Sequence, residues 1–401
     1  WLVVTKVHER IKFYNKEGFN WATKRINLYT DGKDERVSVK AYTYNLVNNK
    51  IEKDKLKNSE IFNVDINKSW KQKKFTMPNL KENSIIEWEY EISSPYFWRI
   101  DDMQFQFKIP AKFIETKVTI PEFFVFKNQS KGSLQTNIVK SIKQSSVNIL
   151  NTERSGDKIV TVSYSQNKVD FQSNSTSCIL KNVPALKEEP YVNNIDNYLS
   201  SLKFEISAYK PKNGIPKYYN TTWEDVTKTI NNSADFGGQL SKESYFKEDL
   251  LANLSLESSD SEKINKIFKF VKSKIKWNNY NSKYTIEGVR KAYKDGVGNV
   301  AEINLALVAM LREAGVEANP ILVSTRDHGI PLFPTSDGFN YVIAGVETQK
   351  GVTLLDATEK YSIPNVLPLR ALNWKGRLIR ENGSSTWVEL TPIKPTVIMS
   401  L

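Results

Sequence analysis

The 401-residue sequence has one cysteine, Cys178, and two histidines, His8 and His328. A single cysteine cannot close an internal disulfide, and it excludes zinc or iron–sulfur centres built from several thiolates. Two histidines exclude a histidine-rich metal site, and no metal or cofactor is implied. No apolar run reaches the roughly 18 residues that a membrane-spanning helix needs. No secretion signal is visible either. The chain opens Trp1-Leu2-Val3-Val4, which reads as a strand, and a trimmed mature chain would open the same way. A nucleic-acid motif is also missing, although basic residues outnumber acidic ones by 57 to 45 for a net charge of +12. The lysines are spread along the chain, and the densest run, Lys71 to Lys74, reads as solvated surface. No nucleic-acid partner is expected.

What is present is an ordinary globular composition, long enough for two or three domains. Residues 1–205 read as a β-rich sandwich domain. Val3 to Tyr14 alternates apolar and polar residues, Asn15 to Asn20 turns, and Trp21 to Thr30 runs back, a hairpin signal with Gly18 in the turn. Asn48-Asn49 marks a second hairpin. Ile86 to Ile92 is the clearest strand: Ile86, Trp88, Tyr90 and Ile92 share one face, while Glu87, Glu89 and Glu91 share the other. Further strands are expected at Gln104–Ile109, Lys117–Ile120, Lys158–Ser163 and Phe204–Ala208. Short strands separated by Pro and Gly predict an antiparallel sandwich. Pro184 to Asn197 reads as a connection.

From Thr222 the apolar period becomes helical. Thr222 caps a first helix, with Asp225 at its third position. "SKESYFKEDLLANL" reads as a second. Ser259 and Glu262 have capping-box spacing ahead of a helix whose stripe is Ile264, Ile267, Phe268, Val271 and Ile275. Residues 300–314 form a mostly apolar helix, started by Gly298-Asn299 and closed by Gly315; such a helix belongs at the centre of a core. Strands follow at Ile321–Ser324, Tyr341–Val346 and Val352–Leu355, then a hairpin around Asn382-Gly383. One helix followed by several strands is an α+β order.

The stretches "GVGNVAEINLALVAMLREAGVEANP", "FNYVIAGV" and "VTLLDATEK" carry a resemblance. From about Asn220 to Pro392 the chain resembles a transglutaminase-like domain of the papain-like superfamily. Such domains place a cysteine at the start of a buried helix, a histidine on a following strand and an aspartate on the next. The helix start favours the thiolate, the imidazole takes its proton, and the carboxylate orients the imidazole. By that match Val300 stands at the cysteine position and Asn340 at the histidine position, while Asp356 is retained. Val300 has no nucleophilic atom, and Asn340 cannot cycle a proton near neutral pH. Asn340 is expected to hydrogen-bond Asp356 across adjacent strands. The first half, with "KFTMPNLKENSIIEWEYEISSPYFWRIDDMQFQFKIP", resembles the β-rich domain found before transglutaminase-like domains in bacterial envelope proteins. The expected organisation is therefore a β-sandwich at 1–205, a transglutaminase-like α+β domain at 206–392, and at 393–401 the start of a further β domain.

Other residues weigh as binding candidates. Trp277, Asn299, Glu302, Arg326 and His328 are expected around the degenerate cleft. His328 with Asp327 is a conceivable replacement acid–base, though a polar turn explains it as well. Glu302 is accounted for by helix capping. Tyr96, Phe97 and Trp98 are able to stack on a partner or glycan, or to fill a bend between strands. The resemblance implies an exported periplasmic or surface protein, here a pseudoenzyme that binds a protein, peptide or glycan partner. Two alternatives stand beside it: an acyl-transfer or hydrolytic enzyme using non-standard residues such as His328, Glu302 or Asp356, and a structural subunit of an envelope assembly.

Overall fold

The computed structural model describes residues 1–67, 70–155, 161–212, 214–219, 222–253, 259–349 and 351–390. The further β domain expected at 393–401 lies outside these residues. Two compact units are formed: Trp1–Asp102 with Lys203–Ile206, and Met103–Leu202 with Ser207–Leu401.

The first unit contains strands β1 (Val3–Lys12), β2 (Thr23–Tyr29), β3 (Arg36–Val47), β4 (Lys50–Lys55), β5 (Phe62–Asn67), β6 (Trp70–Thr76) and β7 (Ile85–Ser94). They form two antiparallel sheets, β1-β7-β3-β4 and β2-β6-β5. Phe13, Ile26, Leu28, Ala41, Phe75, Met77, Ile86 and Trp88, drawn from both sheets, make one core. The alternation in β7 does the work expected of it, with Ile86, Trp88 and Ile92 buried. Asn48 and Asn49 turn β3 into β4 with φ of 50° and 59°, the left-handed pair a tight hairpin needs. The expected hairpin around Gly18 is not formed. Lys16–Ala22 is a 3-10 turn capped by the Asn15 side chain, and Phe13 packs edge-on against Phe19 at 5.6 Å. This wide turn carries the chain out of one sheet, so β1 pairs with β7 and β2 with β6.

The second unit opens with β8 (Met103–Gln104), β9 (Ala111–Pro121), β10 (Phe124–Lys131), β11 (Ile138–Ser155) and β12 (Thr161–Val183) and includes β14 (Lys217–Tyr218); β13 (Ser201–Tyr209) is divided, its Lys203–Ile206 counting with the first unit. The expected strand at Gln104–Ile109 shrinks to β8, and that at Lys158–Ser163 is described only from Thr161, within β12. β11 and β12 form a long hairpin that pairs with β9. Cys178 is buried in β12, and burial pushes its thiol pKa up. Pro184–Asn197 is more than a connection. Asn194 donates to the carbonyls of Arg326 and Asp327 at 3.0 Å each, and Asn197 accepts from the Ile330 N–H at 2.8 Å.

Helices α1 (Trp223–Asn231), α2 (Gly237–Leu240), α3 (Lys247–Asn253) and α4 (Asp260–Lys274) follow, then β15 (Lys276–Trp277), α5 (Val289–Asp295), β16 (Val297–Gly298) and α6 (Val300–Glu313). The capping boxes at Thr222/Asp225 and Ser259/Glu262 are formed. The second expected helix starts only at Lys247, because the residues before it bend to sink Phe246 into the core. α6 is buried continuously from Val300 to Leu311 and ends at Gly315, whose φ of 77° closes the helix. It lies on a five-stranded antiparallel sheet ordered β19-β18-β17-β20-β21, made from β17 (Ala318–Val323), β18 (Tyr341–Thr348), β19 (Gly351–Leu355), β20 (Lys375–Ile379) and β21 (Ser385–Glu389).

On the solvent side of β7, Glu87 accepts from His8, Arg10 and Tyr44 at 2.7 to 2.8 Å. Burial raises its pKa, but these donors outweigh burial and bring it down from 4.5 to about 2. A depressed carboxylate stabilises the fold above its unfolded pKa and loses that contribution as pH falls through the folded value. Glu87→Gln is therefore expected to lower the melting temperature at pH 7, with the gap to wild type closing between pH 4.5 and 2. Thermal melts across that range check it.

Candidate functional site

The site is built where the start of α6 meets β18 and the end of β19. Asn299 caps α6: its Oδ1 accepts from the Glu302 N–H at 2.9 Å, and Glu302 Oε2 accepts from the Asn299 N–H at 2.8 Å. The other carboxylate oxygen of Glu302 takes the N–H groups of Ile286, Glu287 and Gly288 at 2.8 to 3.2 Å. Glu302 thus fastens the loop ahead of α5 to the helix start through hydrogen bonds from backbone N–H groups. Asn299 also donates to the Tyr284 carbonyl at 2.9 Å. Both residues are buried and occupied by structure, not directed into an open cleft.

Val300 is the first residue of α6 and is fully buried. One turn on, Asn304 faces the same way. Its amide donates to the Val342 carbonyl at 2.9 Å and to Asp356 Oδ1 at 3.1 Å, while its oxygen accepts from the Ala357 N–H at 2.9 Å. Asp356 receives more: the Tyr341 hydroxyl on Oδ2 at 2.7 Å, and the Thr358 hydroxyl and N–H on Oδ1 at 2.7 and 3.0 Å.

The expected Asn340–Asp356 hydrogen bond is not made. β18 and β19 pair with Ala344 opposite Leu355, so one step further Asp356 faces Ile343, whose side of the strand Tyr341 shares. Asn340 is one residue away and turns to the other side. There its oxygen accepts from the Thr325 N–H and its amide donates to the Thr325 hydroxyl, both at 2.9 Å. Alternation with period two makes a one-residue shift in alignment a change of face. Tyr341, not Asn340, therefore occupies the place facing Asp356.

Arg370 covers this group from outside. Its Nε donates to the Tyr341 hydroxyl at 3.1 Å and its Nη2 to the Thr358 hydroxyl at 2.7 Å. Its guanidinium lies 4.1 Å from the centre of the Trp277 ring. Burial weakens the guanidinium's hold on its proton, but Tyr341, Asp356 and Glu359 more than restore it. Burial, and then the Asp356 charge, push the Tyr341 phenol well above its ordinary pKa, so it stays protonated and donating. Val300, Asn304 and Tyr341 are 0% exposed and Asp356 is 1% exposed. The start of α6 and the group around Asp356 are therefore closed to solvent.

The remaining candidates divide. Trp277 joins the group through Arg370, and its indole N–H donates to the Tyr280 carbonyl at 3.2 Å. Arg326 and His328 sit in a 3-10 turn, with His328 hydrogen-bonded to the Ser324 hydroxyl at 2.9 Å and Arg326 to Asn193. Tyr96, Phe97 and Trp98 belong to the first unit. Tyr96 is buried and bonded to the backbone of the 31–33 turn, whereas Trp98 remains 41% exposed. Sequence reasoning missed Tyr341, Asn304, Thr358 and Arg370. Helical spacing from Val300 would have pointed to Asn304, and strand parity from Asp356 would have pointed to Tyr341.

Residues 248–390 match the model of the transglutaminase-like superfamily, and a domain of that class occupies this stretch. A solved structure described as a putative protease from Parabacteroides distasonis is similar to nearly the whole chain. The TM-score is 0.62, covering 98% of this chain and 69% of that one at 14% sequence identity. A likeness at that identity carries the fold alone. No curated protein matches the sequence.

Replacing Glu302 by Gln leaves one accepting oxygen where two are used: it can keep the three loop N–H groups or that of Asn299, and the other side then faces an amide nitrogen that cannot accept. The expected loss is about 3 kcal/mol of stability, the range for breaking a buried network around a charged acceptor. Urea denaturation of Glu302→Gln against wild type measures it, and a loss below about 1 kcal/mol would mean the loop does not depend on this carboxylate.

Proposed function

We propose that the protein is a catalytically inactive transglutaminase-like protein of the bacterial cell envelope, serving as a binding or scaffold module for a protein, peptide or glycan partner. One observation carries the reading. The residue at the helix start is the buried Val300, and the residue donating to Asp356 is the phenol of Tyr341. An acyl intermediate needs a nucleophilic atom, and Val300 has none. A general base must accept a proton near neutral pH, and a phenol whose pKa is raised by burial does not. Asp356 persists because, once buried, it is tied into both strands and the helix. The envelope location rests on the resemblance of the first half to domains of bacterial envelope proteins. The binding role rests on a retained fold without the retained chemistry.

The wild-type protein is expected to incorporate no amine into a glutamine-containing protein and to hydrolyse no peptide amide. Cys178→Ser should leave that baseline unchanged, since the one thiol is buried in a β-strand and its pKa is raised. Activity that survives Cys178→Ser and disappears in a folded Asp356→Asn variant would establish an enzyme instead. Reinstating chemistry should require Val300→Cys and Tyr341→His together, because nucleophile and base act as a unit. Arg370→Ala would also be needed to open the covered position.

A further inference from the structure

In the segment that follows Asp356, several polar side chains are tied down by hydrogen bonds while several apolar ones face solvent. In an ordinary surface loop, polar side chains face water and apolar ones turn inward. Between Glu359 and Arg370, Ser362 is buried, its hydroxyl donating to the Asp356 carbonyl at 2.7 Å. Asn365, at φ of 64°, accepts from the Leu354 N–H at 2.9 Å, and Arg370 turns inward to Tyr341. Tyr361, Ile363, Val366 and Leu369 face outward at 81%, 48%, 47% and 66% exposure. This is a held conformation. Pro364 and Pro368 restrict the backbone, Leu367 is buried, and Lys272 of α4 donates to the carbonyls of Lys360 and Ser362. Four exposed apolar side chains fixed on one short ridge form the kind of patch that marks an interaction site.

Cations border the ridge. Lys269 lies one helical turn before Lys272 on the same face of α4, and it is exposed, as is Lys360. Glu359 is 3.4 Å from Arg370 and also lies in the field of Lys272. Burial, followed by Lys269, lowers the Lys272 pKa, while Glu359 opposes them, so Lys269 lies close enough for its charge to be felt at Lys272. We propose that the Tyr361–Leu369 ridge is the docking surface for an acidic, apolar peptide segment of a partner protein. Apolar side chains of the segment cover Ile363, Val366 and Leu369, and its carboxylates meet Lys269 and Lys360. A second copy of this chain fits less well. Two-fold pairing sets the same patch against itself and brings lysines face to face. The inference deepens the binding role proposed above and rests on it.

Two short fluorescein-labelled peptides test it with the full chain. Both carry the same Leu and Phe positions, one with Glu between them and the other with Lys. The expected anisotropy result is binding of the acidic peptide about tenfold or more tighter than the basic one, weakening as salt is raised. Val366→Ser with Leu369→Ser, and separately Lys269→Glu with Lys360→Glu, should each weaken it about tenfold without moving the melting temperature. Equal binding of the two peptides, or no binding of either, overturns the proposal. Acidic-peptide binding untouched by both double variants removes the ridge and leaves the binding role standing. A concentration-dependent dimer in sedimentation that Val366→Ser with Leu369→Ser abolishes assigns the ridge to a second copy and overturns it too. Amine incorporation by the wild type would instead remove the inactive-module reading while these peptide measurements still judged the ridge.

Discussion

A buried carboxylate must be paid for locally, and the arrangement around Asp356 shows how. A carboxylate removed from water is tolerated only where hydrogen-bond donors replace its hydration. Tyr341, Asn304 and Thr358 supply them, and Arg370 supplies the positive charge one contact further out. These donors come from β18, α6, the turn after β19 and the loop before β20. The carboxylate therefore joins the central helix to one edge of the sheet. Asp356 acts as a fastening point, with hydrogen bonds from a phenol, an amide, a hydroxyl and a backbone N–H.

The same logic extends to Glu302. Both acids sit at the ends of otherwise apolar elements, and each orders a backbone segment that forms no regular structure. Glu302 holds the loop ahead of α5, while Asp356, through its carbonyl, holds Ser362 and the segment beyond it. The outward-facing ridge is thus positioned through Asp356. Local order, sealed chemistry and an exposed apolar surface are parts of one arrangement.

Much of this was legible in the sequence. The buried helix, its cap and its glycine stop are written in Asn299, Glu302 and Gly315, and the α+β order follows from the change of apolar period after Thr222. The face of each strand was legible wherever alternation was clean, as in Ile86–Ile92. It failed at Asn340-Tyr341, where both residues are capable of hydrogen bonding, and only the cross-strand register shows which one meets Asp356. Arg370 comes from an irregular loop with no periodicity, so no pattern leads to it. The turn at Lys16–Ala22 looked like a hairpin because glycine content is a cue to turning and says little about which strand receives the chain.

The clamp between Asn194, Asn197 and the loop at 326–330 has a consequence for how such a chain can diversify. Exchange of gene segments is best tolerated where a junction crosses few hydrogen bonds. A transglutaminase-like domain grafted onto another partner without the 193–197 segment would leave the carbonyls of Arg326 and Asp327 and the Ile330 N–H to find other partners. The loop bearing His328 therefore depends on the 193–197 segment, and replacing either stretch alone sacrifices these hydrogen bonds.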